Sequence, residues 1–229
     1  DRVGGDSGQV EHHDELVTGA VLPPDDVGAA HGTVVGGTMD GSGRVALQDE
    51  VYVDLPNTVI AGLTNVTMEA WLVRGTLTSS WQRVFDFGDN SSGVDGEQGT
   101  SGQSYIFLTP REPGGAVRLA YQATPTEGET KLTGTLPLLL DGPSHVVAVF
   151  DDTGDEMALY VDGSLVGEVA WTGSLSSINA INNWLGRSQF AADPDFEGAI
   201  DEFRIYDVVL DAAQVQYSFT SGANPTFLN

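Results

Sequence analysis

From position 16 onward, short apolar runs alternate with turns of Gly, Asp, Asn, Pro and Thr at fairly regular spacing. That spacing predicts an all-β sandwich or jelly roll. The clearest run, 66–74 (VTMEAWLVR), puts Met68, Ala70 and Leu72 on one face of a strand and Glu69, Trp71 and Val73 on the other. Further strands are predicted over 44–47, 51–55, 82–87, 105–109, 117–122, 145–150, 157–161, 165–169, 183–187 and 200–206. The pair 157–161 and 165–169 reads as a hairpin around Asp162-Gly163, a dipeptide that suits the positive φ angles of a tight turn. One short C-terminal helix is predicted over 212–218, with Asp211 as its N-cap. Residues 1–15 mix Gly, charge and two His without periodicity and read as a flexible tail. No internal repeat is visible, so 16–229 reads as a single domain of roughly ten to twelve strands.

Composition narrows the function classes. The chain has 229 residues with 33 acidic against 9 basic side chains, a net charge of −24, and Lys131 is its one lysine. Such a chain cannot build the basic face that a nucleic acid or an anionic membrane surface requires. Its longest apolar run, 136–140, contains Pro137 and is far too short to span a bilayer. Hydrophobic content of 40% is enough for a real core. Without cysteine there are no disulfides, thiolate nucleophiles or thiolate metal sites. An acid excess with almost no lysine fits a halophilic setting, where salt screens the self-repulsion; an ordinary acidic secreted protein fits equally well. No signal peptide is visible at Asp1, so the chain reads as a mature protein or an excised domain.

Five segments in order carry a family likeness: 68–71 (MEAW), 81–88 (WQRVFDFG), 159–163 (LYVDG), 183–188 (NWLGRS) and 198–207 (GAIDEFRIYD). Together they resemble the LamG-like jelly-roll family of the concanavalin A-like lectin/glucanase superfamily over about 16–221. The resemblance implies a jelly-roll β-sandwich of two antiparallel sheets. It decides much less about function, because this fold hosts lectins, adhesion modules, hydrolases and lyases. One departure is local: the strand at 145–149 lacks the aromatic that often precedes its His in the family.

The resemblance also implies a Ca²⁺ site. The segment 25–32 (DDVGAAHG) is similar to the family's early Asp-x-x-Gly loop, which maps the ligands to Asp25, Gly28, His31 through its carbonyl, and Asp201 of the late strand, with Asp26 as an alternate. Calcium takes six to eight oxygens in irregular geometry, which carboxylates and loop carbonyls can supply. An Asx-turn at Asp25 and a plain surface carboxylate at Asp201 would look the same in sequence.

Catalysis has thin support. Glucanases of the superfamily carry Glu-x-Asp-x-Glu on one strand, and the only approach to it is Asp193-Pro194-Asp195-Phe196-Glu197. Its first residue differs, Pro194 argues against a central strand, and an acidic surface loop explains it as well. On a straight strand its end carboxylates would lie ~13 Å apart, against about 5–5.5 Å for a retaining glycosidase. No Gly-x-Ser-x-Gly elbow is present, and His145 reads as a hydrogen-bonded strand residue.

Two constellations remain. With so few cations, an arginine inside a strand should have a fixed partner, and a buried Arg187–Asp86 bridge is expected, with Glu69 as the alternative partner of Arg187. Sugar binding needs exposed aromatics beside polar groups. Trp71 and Trp184 read as core, whereas Trp81 and Trp171 lie nearer strand ends and are the better solvent-facing candidates. The loops 88–102 and 124–131 are long and polar, as binding loops often are. The expected protein is a non-catalytic, secreted or surface-displayed binding module of a larger protein. Its partner would be a glycan or an extracellular protein, with calcium as a possible organiser. A glycoside-active enzyme using Asp193, Asp195 and Glu197, and a spacer with no small ligand, are the alternatives.

Overall fold

Apolar residues at alternate positions of 65–74 build the longest strand among the described residues, and every second side chain of it (Val66, Met68, Ala70, Leu72) enters the core. The computed structural model describes residues 13–15, 32–39, 44–76 and 78–223. Among the described residues the strands are β1 (His13–Glu15), β2 (Thr33–Val35), β3 (Val45–Leu47), β4 (Tyr52–Leu55), β5 (Asn65–Arg74), β6 (Phe85–Asn90), β7 (Gly102–Thr109), β8 (Arg118–Gln122), β9 (Thr130–Thr133), β10 (Pro143–Asp151), β11 (Glu156–Val161), β12 (Ser164–Ala170), β13 (Asn182–Leu185) and β14 (Gly198–Tyr206). One helix, α1 (Ala212–Ser221), follows.

The strands form two antiparallel sheets of seven. The first runs β1-β14-β5-β10-β11-β12, with β3 also pairing β14; the second runs β2-β4-β13-β6-β7-β8-β9. Each sheet joins a run of hairpin neighbours (β10-β11-β12 and β6-β7-β8-β9) to strands distant in sequence (β14-β5-β10 and β4-β13-β6), the topology of a jelly roll. The core lies between the sheets. Phe203 of the first sheet meets Phe85 and Phe87 of the second, each at a ring separation of 6.0 Å. The hairpin turn reads as expected: Asp162 and Gly163 have φ of 49° and 73°, and Val161 pairs with Ser164.

The outer face of the first sheet is closed by α1. Asp211 caps the helix by accepting from the backbone N–H groups of Ala213 and Gln214, both at 2.8 Å. Val215 then packs on Val147 and Tyr160. Beneath the helix lies a buried polar network on Glu69. This carboxylate accepts from His145 Nε2 at 2.6 Å, from Arg204 Nη1 at 3.1 Å, and from the hydroxyls of Tyr206 and Ser218. Burial alone would raise the Glu69 pKa, but the His145 hydrogen bond and the Arg204 charge outweigh it and hold the group at about 2.

Several boundaries differ from expectation. Residues 13–15 of the predicted tail form a strand paired with β14. The edge strands β2 and β9 were not anticipated, being three and four residues long and too short to show alternation. The strand expected from 82 begins at Phe85. No helix among the described residues is long and apolar enough to cross a membrane.

Candidate functional site

The two faces of the second sheet have different contents. Ile106, Leu108, Leu119 and Tyr121 point into the core. The alternate residues Tyr105 and Phe107 of β7 and Ala120 of β8 form a separate apolar cluster on the outer face, with the half-buried rings of Trp81 and Phe190 packed against it. These rings, with Arg83, Arg118, Glu129 and Asp193, line an open groove of about 440 Å³. Aromatic faces bordered by hydrogen-bonding groups can hold a ligand that has both apolar faces and polar edges.

Trp81 occupies this position at a conformational cost. Its φ of 70° is in the left-handed region, which a bulky residue rarely adopts. Two hydrogen bonds hold it there: its N–H donates to the Arg111 carbonyl at 3.0 Å, and its own carbonyl accepts from Arg83 Nη1. Backbone strain of this kind persists only where neighbours over-determine it, and it clusters at functional sites. On the opposite wall, Phe190 is placed by the long polar loop 91–101. Gly99 N–H donates to the Gln189 carbonyl, Ala191 N–H donates to the Gly99 carbonyl, and Gln98 Nε2 donates to the Ser188 carbonyl. That loop, expected as a binding loop, thus acts as a brace for the wall beside it.

The charges of the groove are paired within the protein. Arg83 Nε donates to Asp86 Oδ2 at 3.1 Å, and its Nη2 donates to Asp193 Oδ2 at 2.8 Å. Arg118 Nη2 donates to Glu129, which also accepts from the Tyr105 hydroxyl at 2.9 Å. Burial pushes the Asp86 carboxyl up to about 7, although the Arg83 charge opposes the rise. Burial raises Asp193 in the same way, again against Arg83, and it lifts the Tyr105 phenol to about 12.

The expected site residues are distributed differently from the sequence reading. Trp81 is at the groove. Trp171 is not solvent-facing: it is 1% exposed and wedged edge-on between Tyr121 and Phe150 in the core. Its backbone N–H donates to the Asp155 carbonyl, which fixes the chain just past β12 so that the indole turns inward. The Arg187–Asp86 bridge does not form. Asp86 pairs with Arg83, three residues away, while Arg187 stacks on Tyr52 and Trp184 at 4.4 and 4.6 Å and donates to the Gly96 carbonyl. Glu69 pairs with Arg204, not Arg187.

Of the acid set, only Asp193 lines the groove. Asp195 accepts from the Glu50 N–H at 2.9 Å, and Glu197 lies beside Gly75, so the three carboxylates address three different neighbours. Of the calcium set, Asp25, Gly28 and His31 lie outside the described residues. Asp201 is exposed and paired with Arg44 at 3.3 Å. No group of three His, Asp or Glu suited to a metal occurs among the described residues. Tyr105, Phe107, Arg118, Glu129 and Phe190 were missed. The available signal was two aromatics at alternate positions of a strand whose other face is already apolar.

The Laminin_G_3 family model, described as Concanavalin A-like lectin/glucanases superfamily, matches residues 47–216. No curated protein matches the chain in sequence. Among solved structures, the fold is similar to the CBM40 of the Ruminococcus gnavus IT-sialidase bound to α2,3-sialyllactose. There the TM-score is 0.63 and the identity 16%, covering 76% of this chain and 95% of that one. It is also similar to Domain 4 of AbnA, a GH43 extracellular arabinanase from Geobacillus stearothermophilus, in complex with arabinotriose, with a TM-score of 0.63, 21% identity and coverage of 84% and 90%. The botulinum neurotoxin serotype G binding domain gives a TM-score of 0.60 at 12% identity, covering 84% of this chain and 46% of that one.

Proposed function

This chain belongs to the Concanavalin A-like lectin/glucanases superfamily, and from that premise we propose that it is a carbohydrate-binding module whose ligand lies in the groove between Trp81 and Phe190. The observation that carries the reading is Trp81 itself. A tryptophan held at φ 70° by hydrogen bonds to its own N–H and carbonyl presents its ring at the outer sheet face, where a sugar ring can stack on it. Structures similar in fold that were solved with α2,3-sialyllactose and with arabinotriose support the same class of ligand.

A binding role, not a hydrolytic one, is favoured by the acids. Asp193 is tied to Arg83 and Ser188, and neither Asp195 nor Glu197 joins it at the groove. Secretion or surface display belongs to the same proposal, supported by the likeness to a domain of an extracellular arabinanase. So does calcium on Asp25, Gly28, His31 and Asp201, where it would organise a loop; Arg44 would have to leave Asp201 for an ion to bind there. The test is calorimetric titration of an oligosaccharide panel into the protein and into W81A and F190A. Saturable binding to the unaltered protein that weakens in both variants is the expected result, and equal binding by all three would reject the groove.

A further inference from the structure

Resting on the carbohydrate reading above, we infer that this groove selects uncharged glycans and discriminates against sialylated or uronate-bearing ones. Recognition of a carboxylate by arginine works best through a free guanidinium edge that can donate two parallel hydrogen bonds. Neither arginine at the groove presents a free Nε/Nη2 edge. Arg83 spends its three nitrogens on Asp86, the Trp81 carbonyl and Asp193, and Phe107 covers its face at 4.0 Å. Arg118 gives Nη2 to Glu129, which breaks the Nε/Nη2 fork.

The Nε of Arg118 is itself buried, so the Nε/Nη2 edge that would grip a carboxylate side-on is closed to a ligand in the groove. An anionic ligand would instead face Asp193 and Glu129 at the groove and Asp86 beneath Arg83. It would also approach a chain of net charge −24. Lys131, in register with Ala120 on the same sheet face, is exposed, where an ion pair adds little. By charge class the ligand therefore resembles arabinotriose and not sialyllactose.

The experiment is calorimetric titration of matched pairs: lactose with α2,3-sialyllactose, and neutral pentose and hexose oligosaccharides, arabinotriose among them, with their uronate-bearing counterparts. Binding confined to the neutral members is expected, with Kd moving less than about twofold between ~0.1 and ~1 M NaCl, since no net charge is paired. Tighter binding of the acidic member of any pair would overturn the inference while leaving the carbohydrate reading intact. Absence of binding across both classes would overturn that reading, and the inference with it. In E129Q, with folding checked by its melting curve, the charge of Arg118 is no longer neutralised by Glu129. Affinity for acidic glycans should then rise about fivefold or more relative to their neutral counterparts, as an uncompensated cation at the groove allows. An unchanged ratio in E129Q would contradict the internal neutralisation on which the inference stands.

Discussion

The Arg83 guanidinium lies 4.0 Å from the centroid of the Phe107 ring, with Trp81 and Phe190 at 5.6 and 6.0 Å. The protein's own cation thus fills the aromatic enclosure from below, and the rings left half-exposed border a floor that is already packed and charge-paired. Ordering such a floor in advance leaves less entropy to be lost when a ligand binds.

Asp86 should make stability fall with rising pH. Its carboxyl titrates near 3.8 when unfolded and about 7 when folded, because it is buried. Between those values folding takes up a proton, so stability is lost as pH rises from about 4 to about 7. D86N removes this titration while keeping an acceptor for Arg83. Urea unfolding across that window should show the unaltered protein losing about 1–3 kcal/mol relative to D86N. Parallel curves would contradict the assignment.

Glu69 has the opposite sign. Held at about 2 by His145 and Arg204, it contributes stability that is complete above about 4.5 and lost as pH falls toward 2. E69Q should cost about 1–3 kcal/mol near neutrality, since it removes the charge from a buried acceptor of several hydrogen bonds while Arg204 keeps Glu202 as a partner. It should also flatten the acid limb of the stability curve, read by denaturant unfolding at several pH values.

Trp171 should matter to the fold alone. W171A empties space among Tyr121, Phe150 and the sheets, and is expected to cost about 3–5 kcal/mol of stability. Its glycan Kd, measured where the variant is still folded, should match that of the unaltered protein.

Trp81 and Trp171 also show what could be read from sequence. Trp81 stands just before one apolar run and Trp171 just after another, and position beside a strand cannot tell which way the residue turns. The outcome depends on contacts outside the run itself: Trp81 is fixed by the distant Arg111 carbonyl and by its near neighbour Arg83, Trp171 by Asp155 against the core. The alternation of 66–74 and the Asp162-Gly163 turn were legible because they depend on local geometry only. The Arg187–Asp86 expectation failed for a related reason. Scarcity of cations says that a strand arginine has a carboxylate partner but not which arginine takes Asp86, and Arg83, three residues away, was the one close enough to do so. The groove was legible in Trp81, in Asp193 of the acid set and in the polar loop 124–131 that carries Glu129, whereas Tyr105, Phe107, Arg118 and Phe190 come together through the pairing of β7 with β8 and the brace of loop 91–101.

Calcium has a signature separable from the groove. If Asp25, Gly28, His31 and Asp201 hold the ion, Ca²⁺ at about a hundred times its Kd should stabilise the fold by about 2.7 kcal/mol. Chelation should reverse the gain, and D201N should abolish it. A melting temperature indifferent to both calcium and chelator would exclude the ion.

The most direct test of the central claim compares the unaltered protein with W81A by calorimetric titration of the tightest-binding oligosaccharide, with melting curves as the control for folding. Loss of the stacking ring should weaken binding by roughly tenfold, the scale of one good aromatic contact. Unchanged affinity in a folded W81A would place the ligand elsewhere on the protein and contradict the account.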